Sequence, residues 1–321
     1  MAITKACGIK VSVGNTGKEC DTSMNATAML IALHPSVKFT DDDLEDPLPW
    51  IEELIHQRRA FPLFGSKAPI RTITNNAESD VTITLDDGLI VFLRYGVYNR
   101  IFETTSGGFC YAKALSSFNK SGYNILEIDQ TGQMLARKNS DGTYSGFITD
   151  FMYSPSPVWA DFTNTPYKNR FQISFGPQEV VNNGVIFQGA GELLSLTGLI
   201  DVRLEVADAP TGAKLSVRAI TDCAEADLTE LFPTELAAAA RWIVTNKATG
   251  APVTVTSVTV TGGKVNLMGT FSVGQTYVVK GNTSEDWYDN DIFGYDANTL
   301  PGLELLVSAL LRAAEGENRE E

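Results

Sequence analysis

The sequence predicts a mainly β protein with a few helices, an α+β chain built on antiparallel sheet. Three observations carry that prediction. Between Arg71 and Asn119 the apolar residues Val81, Ile83 and Leu85 alternate with polar ones, Asp86-Asp87-Gly88 turns the chain, and Leu89, Val91 and Leu93 alternate again. That pattern is a β-hairpin with its apolar side chains on one face. Further short runs are separated by Thr131-Gly132 and by Asn139-Ser140-Asp141-Gly142, both with hairpin-turn chemistry. Helical periodicity, finally, is confined to a few short segments.

Taken in order, the first part from Met1 to about Pro49 offers a strand at Ile9–Val13, Gly and Asn turns, and a charge run from Asp41 to Asp46. Pro47 and Pro49 open a helix over residues 50–59, with Trp50, Ile51, Leu54 and Ile55 on one face. Its first turn carries Glu52 and Glu53 and its last Arg58 and Arg59, which suits the helix dipole. After the hairpin a strand from Val97 to Thr104 leads through Ser106-Gly107-Gly108 into a short docked helix with Tyr111, Leu115 and Phe118. Strands follow at 123–129, 133–137, 144–151, 170–175, 185–187, 199–206 and 214–221, with a Pro- and aromatic-rich loop at 154–167. Near Asp222 the composition changes to an Ala-rich passage holding Leu236 and Trp242, and then to Val/Thr-rich runs through Val279. These read as a small sandwich or an extension of the main sheet. Pro301, Leu303, Leu306 and Leu310 predict a C-terminal helix with a solvated tail. The resulting division is 1–221 for the main β domain with its N-terminal arm, 222–285 for the small module, and 286–321 for an acidic loop and the helix.

The chain has 321 residues, 43% of them hydrophobic, with 25 Lys+Arg against 39 Asp+Glu and a net charge of -14. Such a surface repels phosphates and argues against a sequence-reading nucleic-acid binder. Cys7, Cys20, Cys110 and Cys223 form no C-x-x-C pair, and their spacing does not suit zinc. They are expected to be free thiols in a reducing cytosol. The apolar run Leu303–Leu311 is too short to cross a bilayer, and no secretory signal is visible.

Catalytic motifs are sparse. The two histidines are His34, which precedes Pro35, and His56, which completes Glu53-x-x-His56 without the second such pair a di-iron bundle needs. Gly14-Asn15-Thr16-Gly17-Lys18 is followed by Glu19 where a phosphate loop needs Ser or Thr. Gly189-Ala190-Gly191 lacks the surrounding parallel β-α-β pattern of a dinucleotide site. The best site candidate is the run Glu285–Asp291. Asp286, Asp289 and Asp291 could ligate calcium, and Trp287 could stack on a sugar, although Gly294 comes too late for an EF-hand. The competing reading is a solvated acidic loop. No catalytic residue, cofactor or metal is expected.

The element order, with the hairpin VTITLDDGLIVFLRYG, the GGFCYAKALSSFN helix and the YNILEID strand, resembles the tail tube and related virion proteins of tailed bacteriophages. The resemblance covers about residues 70–210. It implies an antiparallel β-sandwich or barrel-like tube fold with a flanking helix, assembled into stacked rings whose inner sheet lines a channel. The Val/Thr-rich segment 242–280 is similar to the immunoglobulin-like modules that decorate such proteins. The implied function is a non-enzymatic tail tube subunit of the virion, assembled in the host cytoplasm. Its partners would be its own copies and other virion proteins, and DNA would pass an acidic wall without specific binding. A capsid-decorating or adaptor protein is the alternative within that class. A carbohydrate-binding adhesion module or a carboxylate-only glycosidase are the alternatives outside it.

Overall fold

The computed structural model describes residues 3–8, 24–120, 122–161, 166–176, 180, 182–223, 225–298 and 302–308. The strand expected at Ile9–Val13 lies outside them. Two compact units are present, Met1–Gly198 and Leu199–Glu321. The main domain therefore ends 23 residues before the expected boundary at 221, because the strands after Leu199 pair within the second unit.

The first unit runs β1 (Thr4–Gly8), β2 (Thr27–Leu33), α1 (Pro47–His56), β3 (Ala60–Phe64), β4 (Thr72–Ala77), β5 (Val81–Thr84), β6 (Ile90–Arg94) and β7 (Tyr98–Thr104). It continues with α2 (Gly108–Ser116), β8 (Asn124–Asp129), β9 (Met134–Lys138), β10 (Tyr144–Ser145), β11 (Phe147–Ile148), β12 (Phe151–Tyr153), β13 (Asn169–Phe175) and β14 (Gly184–Gln188). One sheet has the order β1-β14-β9-β8-β2-β3, with β10 on β9 and β11 on β8. A second has the order β12-β13-β7-β4. Leu30, Ala32, Phe64 and Ile125 from the first and Phe102, Met152, Phe171 and Ile173 from the second form one buried cluster, closed by Leu115 of α2. The period-2 alternation of each strand puts these side chains on one face.

The other face of the larger sheet is also covered. Met29, Ile31, Leu33, Leu126 and Ile128 are all buried, as are Ile51, Leu54 and Ile55 of α1. Phe39 sits 5.1 Å from Trp50, 5.7 Å from Tyr144 and 6.4 Å from Phe187, ring centre to ring centre. This explains why β2 is a near-continuous apolar run and why β8, Asn124 to Asp129, is buried along its whole length: both faces of each are inside. At the entrance of α2 Gly107 takes φ 82°, and a Cβ there would lie 2.4 Å from that of Tyr111, so glycine is required.

The expected strand at 144–151 is broken into β10, β11 and the start of β12, with Gly146 between the first two. The hairpin is present as β5 and β6, but it is a separate two-stranded sheet rather than the centre of the fold. Ile83 faces Val91, and Leu85 bonds to Leu89, so the aliphatic face is the expected one. That face is open to solvent and not packed on a core.

The second unit contains β15 (Ile200–Asp208), β16 (Lys214–Thr221), α3 (Leu228–Leu231), β17 (Trp242–Asn246), β18 (Val255–Thr261), β19 (Lys264–Gly269), β20 (Thr276–Gly281), α4 (Ser284–Tyr288), β21 (Tyr295–Asp296) and β22 (Leu303–Leu306). A sheet β18-β19-β16-β15-β21 and a sheet β17-β20-β22 share a core of Leu215, Val217, Leu267, Trp242, Val279 and Trp287. The expected C-terminal helix is instead β22, paired to β20. Leu305 and Val307 are buried and Glu304 and Leu306 exposed, an alternation of two that overrides the helical spacing of the leucines. Residues 286–298 contribute Trp287, Ile292 and Ala297 to this same core and do not form a separate segment.

Phe171 has no exposed surface and lies 6.4 Å from the Phe64 ring. Phe171→Ala is expected to cost about 3–5 kcal/mol. Thermal unfolding of the full chain should show it in the transition of the first unit, with that of the second unchanged.

Candidate functional site

The acidic run singled out by sequence is a structural corner. Thr283 caps α4, its Oγ1 accepting from the Asp286 N–H at 3.2 Å. That geometry turns Trp287 inward, where it is fully buried 6.2 Å from Trp242 and its indole N–H donates to the Arg241 carbonyl at 3.3 Å. Both oxygens of Asp286 accept from Arg241 Nη1, at 3.0 and 2.9 Å. Asp289 is the C-cap, and Asp291 takes φ 67° in the following turn. The four residues therefore do not converge, and Trp287 offers no face to a sugar. Among the described residues no group of three or more His, Cys, Asp or Glu is placed to hold a metal ion.

The other sequence candidates are likewise local. His34 Nδ1 meets Ser36 Oγ at 2.7 Å, with its ring edge-on to Tyr123. His56 is the last residue of α1. Asp43 accepts from the Thr40 N–H and hydroxyl, and Asp41 pairs with Lys5 at 3.1 Å. Gly189 to Gly191 begin a single 3-10 turn after the antiparallel strand β14. Gly14 to Lys18 lie outside the described residues. A cleft of about 580 Å³ is lined by Lys38, Arg137, Lys138, Asn139 and Asp141 among others. Two of its three cations are engaged, Lys38 with Asp141 at 2.6 Å and Arg137 with Asn139 at 2.6 Å. The free-thiol expectation is corrected for two cysteines: Cys110 and Cys223 are each disulfide-bonded.

Sequence reasoning missed a polar staple between the two sheets of the first unit. Arg100 of β7 points inward beside Phe102 and pairs with Glu127 of β8. Its other nitrogens donate to Thr27 Oγ1 of β2 at 3.1 Å and to Asn75 Oδ1 of β4 at 3.1 Å. Thr27 in turn donates to Glu127 at 2.9 Å. Two residues on, Asp129 is fully buried and accepts from the Asn25, Thr131 and Gln133 N–H groups and from the Thr131 hydroxyl, at 2.7–2.9 Å. Burial pushes this carboxyl up, but the four hydrogen bonds outweigh it and hold Asp129 below the usual aspartate range.

The second sheet is the more informative surface. Its terminal strands β12 and β4 each pair with a strand on one side only; the outer side of β4 is open among the described residues, whereas on that of β12 the Lys120 N–H donates to the Met152 carbonyl at 2.9 Å and the Ser154 N–H to Asn119 Oδ1 at 2.7 Å. The face turned away from the core carries Thr72, Thr74, Asn76, Asn99, Gln172 and the buried Ser174 around a central Ile101, with Phe151 and Tyr153 at the β12 edge. Its charged residues are matched: Glu103 binds Lys168 at 3.1 Å and Arg170 at 3.2 Å. The acidic wall expected for a DNA conduit is therefore not on this sheet, whose outer face is an array of amides and hydroxyls. Among the described residues, no helix is long and apolar enough to cross a membrane. No protein-family model matches the chain, and no curated protein matches it.

The Asp129 hydrogen bonds give a pH test. A carboxyl held low by the fold adds stability that is complete above its unfolded value of about 3.9 and is lost as pH falls through the lower folded value. Urea denaturation at stepped pH should show a steeper acid loss for the wild type than for Asp129→Asn. Identical acid limbs would show that this carboxylate is not linked to folding.

Proposed function

We propose that the chain is a non-enzymatic structural subunit that self-assembles through the edge strands of the sheet β12-β13-β7-β4, as a tail tube subunit of a tailed-phage virion would. The observation that carries this reading is the open outer edge of β4, on a small sheet whose opposite strand β12 is met only in part, by Asn119 and Lys120. An open edge is a row of unpaired N–H and C=O groups that proteins cover, twist away or pair with a neighbour. Strand β4 of one copy beside β12 of the next continues the sheet, and repetition of that heterologous contact closes a ring.

A channel built this way presents the amide-hydroxyl face of the sheet inward. The repulsive wall inferred from net charge is replaced by a neutral one, where Lys168 and Arg170 are held by Glu103. Such a face supplies few free cations to retain a polyanion, so passage without binding still fits it. The disulfide-bonded state of Cys110 and Cys223 suits a particle that works outside a reducing compartment. The second unit, two sheets on one core, would supply a decoration module of the immunoglobulin-like kind. The same module favours a capsid-decorating or adaptor role as the second reading, with assembly then limited to attachment on another virion protein.

The edge contact is testable without disturbing the core. Glu78 N–H bonds to the Val97 carbonyl, so strand alternation turns the Ala77 N–H to the outer side of β4. Proline is tolerated at such a position and removes one edge donor. Negative-stain microscopy of concentrated wild-type protein should show rings or tubes. Ala77→Pro should fold normally, lose those assemblies and sediment as smaller species. Persistence of the same rings in the variant, or a wild type that stays monomeric at every concentration, would overturn the ring reading.

A further inference from the structure

The hairpin β5–β6 is a broad apolar surface left uncovered among the described residues of the first unit. Ile83, Leu85, Leu89, Val91 and Leu93 line one face, and Ile90, Phe92 and Tyr95 lie on the other or beside it. Every one is at least a third exposed, with Ile90 at 66% and Leu89 at 59%. We propose that this arm, residues 78–97, is a docking element that packs against a second copy of the chain. The proposal stands on the arm's own surface and does not require the ring geometry.

The base of the arm is built to hold it in place. Gly96 approaches Glu78 so closely that a Cβ would lie 1.9 Å from the Glu78 carbonyl oxygen. The Gly96 N–H donates to Asp80 Oδ1 at 2.8 Å, and Glu78 N–H bonds to the Val97 carbonyl. Beyond this point the arm is an isolated two-stranded sheet. An isolated hairpin is marginal in water, so an arm with apolar side chains on both faces needs cover as soon as it folds. Another copy of the chain is the partner present wherever and whenever the chain is made.

The area agrees with that occupant. Eight large side chains about half exposed amount to several hundred Å², approaching the ~800 Å² each partner contributes to a standard interface and exceeding what scattered surface residues explain. Both outer edges of the hairpin are free to accept a strand, among the described residues, and β4 offers an edge of the same kind. The charges argue against a lipid surface. Asp86 and Asp87 occupy the tip, and Glu78 and Asp80 the base, against a single cation, Arg94. Anionic membranes repel that distribution, and insertion of the tip would bury two carboxylates.

The test uses the full chain and two arm variants. In the first, Leu85→Ser, Leu89→Ser and Leu93→Ser are combined. In the second, residues 79–96 are replaced by Asn-Gly, a two-residue turn that the Glu78–Val97 bonded pair accepts. Sedimentation equilibrium should show wild-type association that falls at least about a hundredfold in both variants, with unchanged melting of the second unit. Hydrogen exchange at residues 81–94 should slow as wild-type concentration rises. Undiminished association in both variants overturns the proposal, as does a monomeric wild type whose arm exchanges freely. So does a monomeric wild type that floats with phosphatidylcholine vesicles, which would assign the arm to lipid. A discrete dimer abolished by the arm variants upholds the arm and rejects the ring. Rings that persist in the arm variants uphold the ring and reject the arm.

Discussion

Arg100 and Glu127 join the two sheets of the first unit at a point where the apolar core gives way to polar side chains. The guanidinium reaches strands β2, β4 and β8 from its place on β7, so the four strands are registered against one another by one side chain. The pair is largely desolvated, with side-chain exposures of 18% and 6%. Its formation therefore adds little net stability over apolar residues of the same volume. Loss of one partner, by contrast, strands a buried charge at a cost of about 3–5 kcal/mol. The effect is to exclude alternative registers. A one-residue slip of β7 would turn Arg100 outward and Ile101 inward, removing the partner of Glu127 as well as the Phe102 packing.

That constraint acts on the sheet whose β4 edge is open. Strands β4 and β7 continue into the arm, so the staple that fixes β7 against the larger sheet also fixes the direction from which the arm departs. Asn75, on β4 itself, accepts from Arg100, which ties the exposed edge strand to the interior. A rigid edge and a rigid arm lower the ordering cost of association, because fewer side chains and backbone angles are immobilised on contact. The interior electrostatics of the first unit and its capacity to bind neighbours are in this way one structural problem.

Much of the fold is legible in the sequence, because strand alternation and turn chemistry are local. The hairpin at 81–94, the strands β8 and β13 and the helix after Gly107-Gly108 follow from neighbouring residues, as does the existence of the helix near Pro47, although it spans Pro47–His56 and not 50–59 and leaves Arg58 and Arg59 beyond its end. The failures arise where a local pattern fits two structures. Leu303, Leu306 and Leu310 suit a helix face, yet pairing with β20 buries Leu305 and Val307 instead, and tertiary hydrogen bonding decides. Asp286, Trp287, Asp289 and Asp291 look like ligands in a row, but a cap at Thr283 sends them in different directions. The domain boundary was masked because β15 and β16 resemble the preceding strands in composition while pairing with strands beyond Asp222. The Arg100–Glu127 pair had no signal at all, since its members are 27 residues apart on strands of different sheets.

The hairpin shows a deeper limit of the same reading. Alternation reports that one face of a strand pair is to be removed from water; it does not report by what. Burial against the chain's own core and burial against another molecule impose the same pattern, because the free energy follows the apolar area lost from water in either case. In this chain the two are separable only by the partner strands. Residues 81–94 pair with each other, whereas β7 is flanked by β4 and β13 and has Phe102 fully buried. An amphipathic strand that the fold leaves uncovered is therefore evidence about assembly, and its apolar face is as much a determinant of the working structure as the core is.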